Sequence, residues 1–377
     1  MNCKLISKHL EEWAPLGAAW NKDNVGLQAG KLEREIKNIL LTLDVTAEIV
    51  DEALTKNCNL IISHHPLLFF PIKKLNFDND SRSQIIEKLI KHDITLLSYH
   101  TNLDFTKDGV SFQLAKRIGL TNIEFLSPSS TKRKKVVVYV PLNSVEVVAE
   151  ALFKMGGGSI GDYSKCSNQI NIKGTFLGSE LSNPVIGQKG NFETVDEIRL
   201  EVIFDEWNIN NAIKTIKEVH PYEEPAFEVY EIDNPNFQYG AGAIGLLKEE
   251  LDENDFLLKI TNDLSLSNLR FTKGSGEKIK KVAVCGGSGS DLLSTAINQK
   301  ADAFITADVK YHTFQDAEGK ICLIDAGHFE TEVPVLQEVK NRIDYFLLSH
   351  QSNSQVLLSE KRTNPIEYLK TNKESLN

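Results

Sequence analysis

The stretch Leu60-Ile61-Ile62-Ser63-His64-His65-Pro66 ends a short apolar run with two adjacent histidines and a proline. Only nine histidines occur in the 377 residues, so a neighbouring pair at the end of a predicted strand is unusual. Neutral imidazole is the commonest metal ligand in proteins, whereas the ordinary alternative is a pair of solvated loop histidines. The pair alone does not decide between them, because a metal site also needs carboxylates from elsewhere in the chain.

The apolar run belongs to a series of predicted buried strands that alternate with helices. Ile39–Asp44 precedes it and Ile94–Ser98 follows it, and the same rhythm returns later in Lys281–Cys285, Ala303–Thr306 and Ile321–Asp325. Buried strands that alternate with helices are typical of a parallel α/β sheet. We therefore expect an α/β protein whose first and last parts, residues 1–127 and 241–377, are two related halves of one metal-binding domain.

The middle of the chain follows a different pattern. A turn-rich segment near residue 128 and the basic run Lys132–Lys135 suggest a boundary. The predicted elements that follow, up to residue 240, have the β-α-β-β-α-β order of a ferredoxin-like α+β domain. We expect an inserted domain there, with His220 in a structured loop rather than in a metal site.

Residues with metal-binding chemistry follow several of the predicted α/β strands. Ligands bind beyond the carboxyl ends of strands in parallel α/β sheets. His100 and Asp104, like His328 and Glu332, are four residues apart and would share one face of a helix. The residues at or just past such strand ends are His64, His65, His100, Asp104, Asp308, His328 and Glu332.

This set of side chains predicts a site with two metal ions. Three histidines with two carboxylates exceed what one tetrahedral zinc needs, and a carboxylate that bridges two metals is the simplest arrangement. The candidate ligands are His64, His65, Asp104, His328 and Glu332. Imidazole and carboxylate suit zinc, iron and manganese alike, and we expect zinc before the other two.

The composition argues against some binding partners and indicates a cellular compartment. A formal net charge of −10 gives no general attraction to nucleic acid or to an anionic membrane. No apolar run reaches the roughly 18–20 residues needed to span a bilayer. The five cysteines are scattered and form no C-x-x-C, which favours a reducing compartment, so we expect a cytoplasmic protein.

The glycine-rich stretch from Gly286 to Ser290 has two interpretations. It precedes a predicted helix, where a phosphate cradle could form. It lacks the G-K-[ST] ending of a P-loop and the full dinucleotide-binding fingerprint, and a tight strand-to-helix turn explains it as well.

Several motifs together resemble the NIF-three-like dinuclear-metal-centre family, also called GTP cyclohydrolase I type 2 homologues. They are Asn24-Val25-Gly26-Leu27-Gln28, Ser63-His64-His65-Pro66, His100-Thr101-Asn102-Leu103-Asp104, Thr306-Ala307-Asp308-Val309-Lys310-Tyr311-His312 and Gly327-His328-x-x-x-Glu332. The middle segment, through Gly158 to Cys166 and His220 to Phe227, is similar to the PII-like and CutA-like insert of that family's long bacterial form. The resemblance implies a two-metal site at the five candidate ligands, with a bridging glutamate. It also implies a homo-hexameric toroid.

Two classes of function fit these observations. The first is a metal-dependent hydrolase that acts on a nucleotide or a phosphoester, with His100, Lys310 or His312 as acid, base or substrate clamp. The second is a non-catalytic scaffold, in which the site senses, stores or delivers metal. The family label alone does not establish hydrolysis of GTP.

Overall fold

The computed structural model describes residues 1–129, 133–161, 163–234, 236–276 and 278–369. These residues form two compact units, residues 1–127 with 239–377 (the discontinuous unit) and residues 128–238 (the middle unit). The mixed α/β class expected from the sequence is confirmed. Lys132, in the basic run, and residues 370–377 of the polar C-terminal segment lie outside the described residues.

Helices and strands alternate along much of the chain. The helices are α1 (Cys3–Trp13), α2 (Ala47–Thr55), α3 (Ser81–Lys91), α4 (Thr101–Asp104), α5 (Val110–Arg117), α6 (Val145–Lys154), α7 (Ile209–Val219), α8 (Glu253–Asp263), α9 (Leu293–Asn298), α10 (Tyr311–Ala317), α11 (His328–Glu332) and α12 (Val335–Ser349). The strands are β1 (Gly26–Ala29), β2 (Asn38–Thr42), β3 (Cys58–Ser63), β4 (Thr95–Ser98), β5 (Thr121–Ser129), β6 (Arg133–Pro141), β7 (Asn168–Leu177), β8 (Phe192–Asp205), β9 (Phe227–Ile232), β10 (Asn236–Asp252), β11 (Arg270–Thr272), β12 (Lys278–Ser288), β13 (Ala303–Ala307), β14 (Cys322–Asp325) and β15 (Val356–Leu358).

The discontinuous unit contains two sheets with a shared plan. The first has the order β1-β4-β3-β2-β15 and the second the order β11-β14-β13-β12-β10-β5. In each sheet three consecutive strands are parallel, β2-β3-β4 in the first and β12-β13-β14 in the second. The edge strand that precedes them in the chain, β1 or β11, lies antiparallel to the third.

The parallel strands are apolar on both faces because helices cover both faces. Leu41 of β2 packs with residues of α1 and α12, whereas its neighbour Leu40 packs with α2 and α3 on the opposite side. In the second sheet Val284 packs with α5 and α8, and Ala283 packs with α9 and α10. This double burial leaves the carboxyl ends of the strands as the place where polar side chains can gather.

The middle unit has one antiparallel sheet of order β7-β8-β6-β9. Val138 of β6 and Leu200 of β8 pack in a common core with Leu152 of α6 and Ile216 of α7. Both helices therefore cover the same face of the sheet. His220 lies in the loop after α7, where its imidazole bonds to the backbone of Tyr139 and Tyr222, so it is a loop residue as expected.

No helix of the described residues is long and apolar enough to cross a membrane.

Candidate metal centre

The histidine pair follows directly on β3. The backbone N–H of His64 donates to Thr42 and that of His65 to Leu43, which continues the pairing with the neighbouring chain segment. His64 Nδ1 donates to the carbonyl oxygen of Tyr99 at 2.8 Å. His65 Nδ1 bonds to Asp44 Oδ1, also at 2.8 Å. With both Nδ1 atoms engaged, the Nε2 atoms of the pair are the ones available for a metal.

Helix α11 supplies the opposite wall of the site. It places His328 and Glu332 one turn apart, with His328 Nε2 3.0 Å from Glu332 Oε1. Asp308, at the end of β13, bonds to His328 Nδ1 at 2.7 Å and leaves Nε2 directed toward the site. The same carboxylate–imidazole arrangement thus supports His65, which follows β3 of the first sheet, and His328, which follows β14 of the second.

Glu332 lies at the centre of the group. Its Oε2 is 3.1 Å from His65 Nε2, and its Oε1 is 3.7 Å from His64 Nε2. Asp104, at the end of α4, has Oδ1 3.6 Å from His64 Nε2. The five candidate ligands therefore converge on one place, and the two oxygens of Glu332 face different histidines.

Several buried atoms at this place have unused bonding capacity. His64 Nε2, Asp104 Oδ1 and Glu332 Oε2 are buried and have no hydrogen-bond partner. Buried polar atoms in native proteins are nearly always paired, and an unpaired one costs about 1–3 kcal/mol. Lone pairs of imidazole and carboxylate are the donors that zinc, iron or manganese takes, so these residues fit a metal.

Gly287, in β12, leaves room for such an ion. It has a φ of +63°, and a Cβ at this position would lie 2.2 Å from Glu332 Oε1 and 3.3 Å from His328 Nε2. Any side chain here would therefore enter the space between the candidate ligands. The His65, His328 and Glu332 ligand atoms lie within 4.8 Å of one another, as do those of His64, His65 and His100, so each group could hold a metal ion.

The charges of Glu332 and of the histidines around it depend on one another. Burial opposes ionisation of Glu332, but the charges and close approach of the three surrounding histidines outweigh it and hold its pKa well below the usual value. Burial also opposes the charge on His65, yet its hydrogen bond to Asp44 and the close approach of Glu332 raise its pKa to about 10. The bond to Glu332 is the main cause that raises the pKa of His328 to about 9. Protons therefore occupy the imidazoles without a metal, and metal binding must displace them.

His100 lies next to His64 and His65, and its ring is oriented by hydrogen bonds to Asp23. Its Nδ1 lies 3.0 Å from both carboxylate oxygens of Asp23, whose side chain is 1% exposed and also accepts from the backbone N–H and hydroxyl of Thr101. These bonds and the charge of His100 outweigh the effect of burial and lower the pKa of Asp23. The His100 ring lies 5.3 Å from the ring of His64 and 5.5 Å from that of His65. Its Nε2 can therefore serve as an acid, a base or a further ligand.

Lys310 and His312 make their side-chain contacts outside the histidine cluster. Both are exposed at the start of α10, and His312 Nδ1 bonds to Gln315 Oε1 at 2.9 Å. Across the described ranges, no hydrogen bond or ion pair joins either residue to the histidine cluster. The structure gives no contact through which they would act on a metal there.

The glycine-rich stretch from Gly286 is not an open phosphate cradle. The N–H of Gly286 donates to Ser111, that of Gly287 to Thr331 and that of Gly289 to Thr306. A cradle needs backbone N–H groups that point at the ligand, and these three already have partners within the protein. These bonds favour the tight strand-to-helix turn over a nucleotide-phosphate site at this position.

Sequence reasoning found Asp308, which lies behind His328, but missed the carboxylates behind two other imidazoles. Asp23 bonds to the imidazole of His100, and Asp44 bonds to that of His65. Asp44 also accepts from the hydroxyl of Thr363 at 2.7 Å. Glu330 of α11 accepts from Arg362 and Asn364, each through a side-chain nitrogen. The segment after β15 thus bonds to carboxylates that follow strands of both sheets. Asp44 carries a usable signal, since it follows β2 at the same sheet edge as the histidine pair, whereas Asp23 lies in an irregular loop.

Comparisons with known proteins agree with these motifs. The model of the Duf34/NIF3 (NGG1p interacting factor 3) family matches residues 1–365. A protein of Halalkalibacterium halodurans named GTP cyclohydrolase 1 type 2 homolog is 36% identical over 371 residues, which are 98% of this chain and 99% of the relative. A Bacillus subtilis protein of the same name is 34% identical over 371 residues, with the same two shares covered.

Solved structures give the same result. A Bacillus cereus protein related to NIF3 matches with a TM-score of 0.83 and 36% identity, over 98% of this chain and 99% of that one. Staphylococcus aureus protein SA1388 matches with a TM-score of 0.76 and 32% identity, over the same two shares. The similarity therefore covers the candidate ligands from His64 to Glu332.

Proposed function

We propose that this chain, which belongs to the Duf34/NIF3 family, binds two divalent metal ions and hydrolyses a nucleotide or another phosphoester. The observation that carries the proposal is the position of Glu332. It is 3% exposed and faces His64, His65 and His328, with one oxygen that has no hydrogen-bond partner. A carboxylate so placed is suited to bridge two metal ions.

The candidate ligands divide into two groups around that glutamate. His64 and Asp104 would hold one ion, and His65 and His328 would hold the other, with Glu332 shared. Zinc is the first choice, with iron and manganese as alternatives. Two such ions supply Lewis acidity toward a phosphoryl or carbonyl oxygen and acidify water.

The residues around the ligands have separate tasks in this proposal. Asp44 and Asp308 orient His65 and His328 through their Nδ1 atoms. Asp23 holds His100 in the same way, so His100 Nε2 can take a proton from water or give one to a leaving group. GTP is the first substrate to try, because the curated relatives carry the name GTP cyclohydrolase 1 type 2 homolog.

A turnover assay on metal-loaded protein tests the proposal. The full chain is loaded in turn with zinc, iron and manganese, and each form is incubated with GTP, other nucleotides, p-nitrophenyl phosphate and bis-p-nitrophenyl phosphate. We expect turnover that Glu332→Ala abolishes together with metal binding. His100→Gln should lose at least tenfold in kcat with its metal content unchanged. Full metal content without turnover of any of these compounds would contradict the hydrolase and favour a metal-binding scaffold.

We further propose that the two sheets of the discontinuous unit are related halves and that the middle unit is an inserted ferredoxin-like domain. The matching order of β1 to β4 and β11 to β14 supports the first point. The chain order β6-α6-β7-β8-α7-β9 in an antiparallel sheet supports the second.

We also propose a cytoplasmic homo-hexamer. The resemblance of the sequence motifs to the NIF-three-like family implies this assembly. Sedimentation of the purified chain tests it: a species of six chains is expected, and a monomer at micromolar concentration would contradict it. Fractionation of cells that express the protein tests the location, and recovery outside the cytoplasmic fraction would contradict it.

A further inference from the structure

The middle unit contains a pocket on the face of its sheet that α6 and α7 leave open. The pocket has a volume of about 420 Å³ and is lined by β7 from Ile172 to Phe176, by the loop from Gly178 to Ile186 and by the loop that follows α7. Its apolar walls include Val185 and Ala226. A space of this size is suited to a small molecule.

A buried carboxylate lies in this pocket. Glu197 of β8 is only 8% exposed and is paired in register with Ile172 of β7. Gly174 provides the room for it, since a Cβ there would lie 2.3 Å from Glu197 Oε2. The carboxylate therefore packs over the backbone of β7. Any residue other than glycine at position 174 would push the carboxylate away from this place.

The nearby cations are engaged with other carboxylates. Lys173 pairs with Asp196 at 2.9 Å, and Arg199 pairs with Glu201 at 3.1 Å. In the part of the chain that the structure describes, no lysine, arginine or histidine forms an ion pair with Glu197. A buried carboxylate without a cation is costly, so this position favours a positively charged ligand.

A second polar group of the pocket lies beside Glu197. The hydroxyl oxygen of Tyr222 is buried, and no group donates to it. Burial and the interaction with the Glu197 carboxylate, which can accept from this hydroxyl, raise its pKa, so the hydroxyl is neutral at physiological pH. A ligand N–H group could donate to the Tyr222 oxygen and to the Glu197 carboxylate at once.

The motif from His220 to Pro225 builds the wall that presents Tyr222. His220 is 7% exposed, and burial lowers its pKa, so it is neutral. Its Nε2 donates to the carbonyl oxygen of Tyr139 at 2.9 Å, and its Nδ1 accepts from the backbone N–H of Tyr222 at 3.1 Å. Glu223 accepts from the backbone N–H of Asn183 at 2.7 Å and so ties the covering loop to the motif.

We propose that this pocket binds a small organic cation, an alkyl- or aryl-substituted ammonium or guanidinium. The ionised lining residues favour this class, because Glu197, Glu223 and Glu224 outnumber the single Lys173, which is already paired. The apolar walls take the carbon body of the ligand, and Glu197 with Tyr222 takes its N–H groups. The lining residues all belong to the middle unit and include none of the candidate metal ligands.

A matched pair of probes tests the charge preference. Binding of 3-methylbutylammonium and of its neutral isostere 3-methylbutan-1-ol to the full chain is followed by ligand-observed NMR titration. We expect the ammonium to bind at least tenfold more tightly than the alcohol. Glu197→Gln should reduce that ratio to twofold or less, and Gly174→Ala should do the same because its methyl group displaces the carboxylate.

Glu146→Gln is the matched control. Glu146 is an exposed residue of α6, so this variant removes one negative charge from the helix-covered side of the unit and should keep the tenfold ratio. Thermal unfolding by circular dichroism identifies the variants that are folded, and either pocket variant suffices for the comparison. Equal binding of the two probes to wild type, or a ratio that survives in a folded pocket variant, would overturn the proposal. Absence of ammonium binding together with a change of oligomeric state in Val185→Glu would also overturn it, since a second copy of the chain would then cover the pocket.

Discussion

The substitution Asp44→Asn tests whether the carboxylate behind His65 sets the metal affinity of the site. Asp44 Oδ1 bonds to His65 Nδ1 at 2.8 Å, and Oδ2 accepts from Thr363 at 2.7 Å. Asparagine keeps the size of the side chain and an oxygen that can accept from Nδ1, but it removes the negative charge.

The expected magnitude follows from that bond. A neutral hydrogen bond contributes about 1 kcal/mol net, and a charge-assisted bond is roughly twice as strong. The loss on substitution is the difference between the charge-assisted and the neutral bond. Because the Asp44 side chain is 40% exposed, we take a low value for this difference, about 1 kcal/mol. With about 1.4 kcal/mol per factor of ten, metal binding should weaken about fivefold. Loss of a partner behind a ligating histidine typically costs about 10–100-fold, and the retained amide oxygen explains the smaller figure.

Competition for zinc against a chromophoric chelator measures this change. Thr363→Val keeps the Asp44 charge and the bond from His65 to Asp44 Oδ1, so it should lose only about 0.5 kcal/mol and stay within about twofold of wild type. Asp51→Asn is the charge control, since Asp51 is exposed and pairs with Lys88 on another surface. Wild-type zinc affinity in Asp44→Asn, or an equal loss in Asp51→Asn, would refute the role given to Asp44.

Three further predictions concern the same cluster. Elemental analysis of purified protein should find about two metals per chain in wild type and one or none in His65→Ala and Glu332→Ala; unchanged content would refute the ligand assignment. Metal-free protein should lose thermal stability as pH rises from about 6.5 through the pKa values of His328, about 9, and His65, about 10, because each raised histidine pKa contributes stability only while the imidazole stays protonated. That loss should shrink in His65→Gln, and a transition temperature that does not change between pH 6.5 and 10 would contradict the coupling. Gly287→Ala should abolish metal binding because its Cβ would lie 2.2 Å from Glu332 Oε1, whereas Gly319→Ala, with a similar positive φ but nothing within 4 Å, should retain it; equal metal content in the two would show that the space beside Glu332 is not needed.

The strands around the histidine pair were predictable because they are apolar on both faces and end in polar residues. The remaining strands depend on contacts between distant parts of the chain. β10 extends over the expected boundary at residue 240 and pairs with β12, which lies further along the chain. The local sequence therefore predicts neither the length of β10 nor its partner strand. β15 has only three residues, too few for a periodic pattern.

The candidate ligands were accessible to sequence reasoning for a related reason. His65 and Glu332 each follow a buried strand, and the carboxyl ends of parallel strands meet at one edge of a sheet. The acids behind the imidazoles were harder to find because their task requires only one hydrogen bond. Asp23 could be assigned only after the chain had brought it 3.0 Å from His100 Nδ1, a residue far away in the sequence.

The order of synthesis gives the position of β15 a further meaning. β15 pairs with β2, and Thr363 after it bonds to Asp44, which in turn bonds to His65. The ribosome therefore synthesises these C-terminal residues long after the histidine pair. The middle unit is one uninterrupted segment with its own core and can fold while the rest is still being made. A nascent chain therefore displays His64 and His65 without Glu332. In consequence, the complete set of candidate ligands forms only late in synthesis, and a chain stalled before Glu332 exposes an unfinished site to the cell.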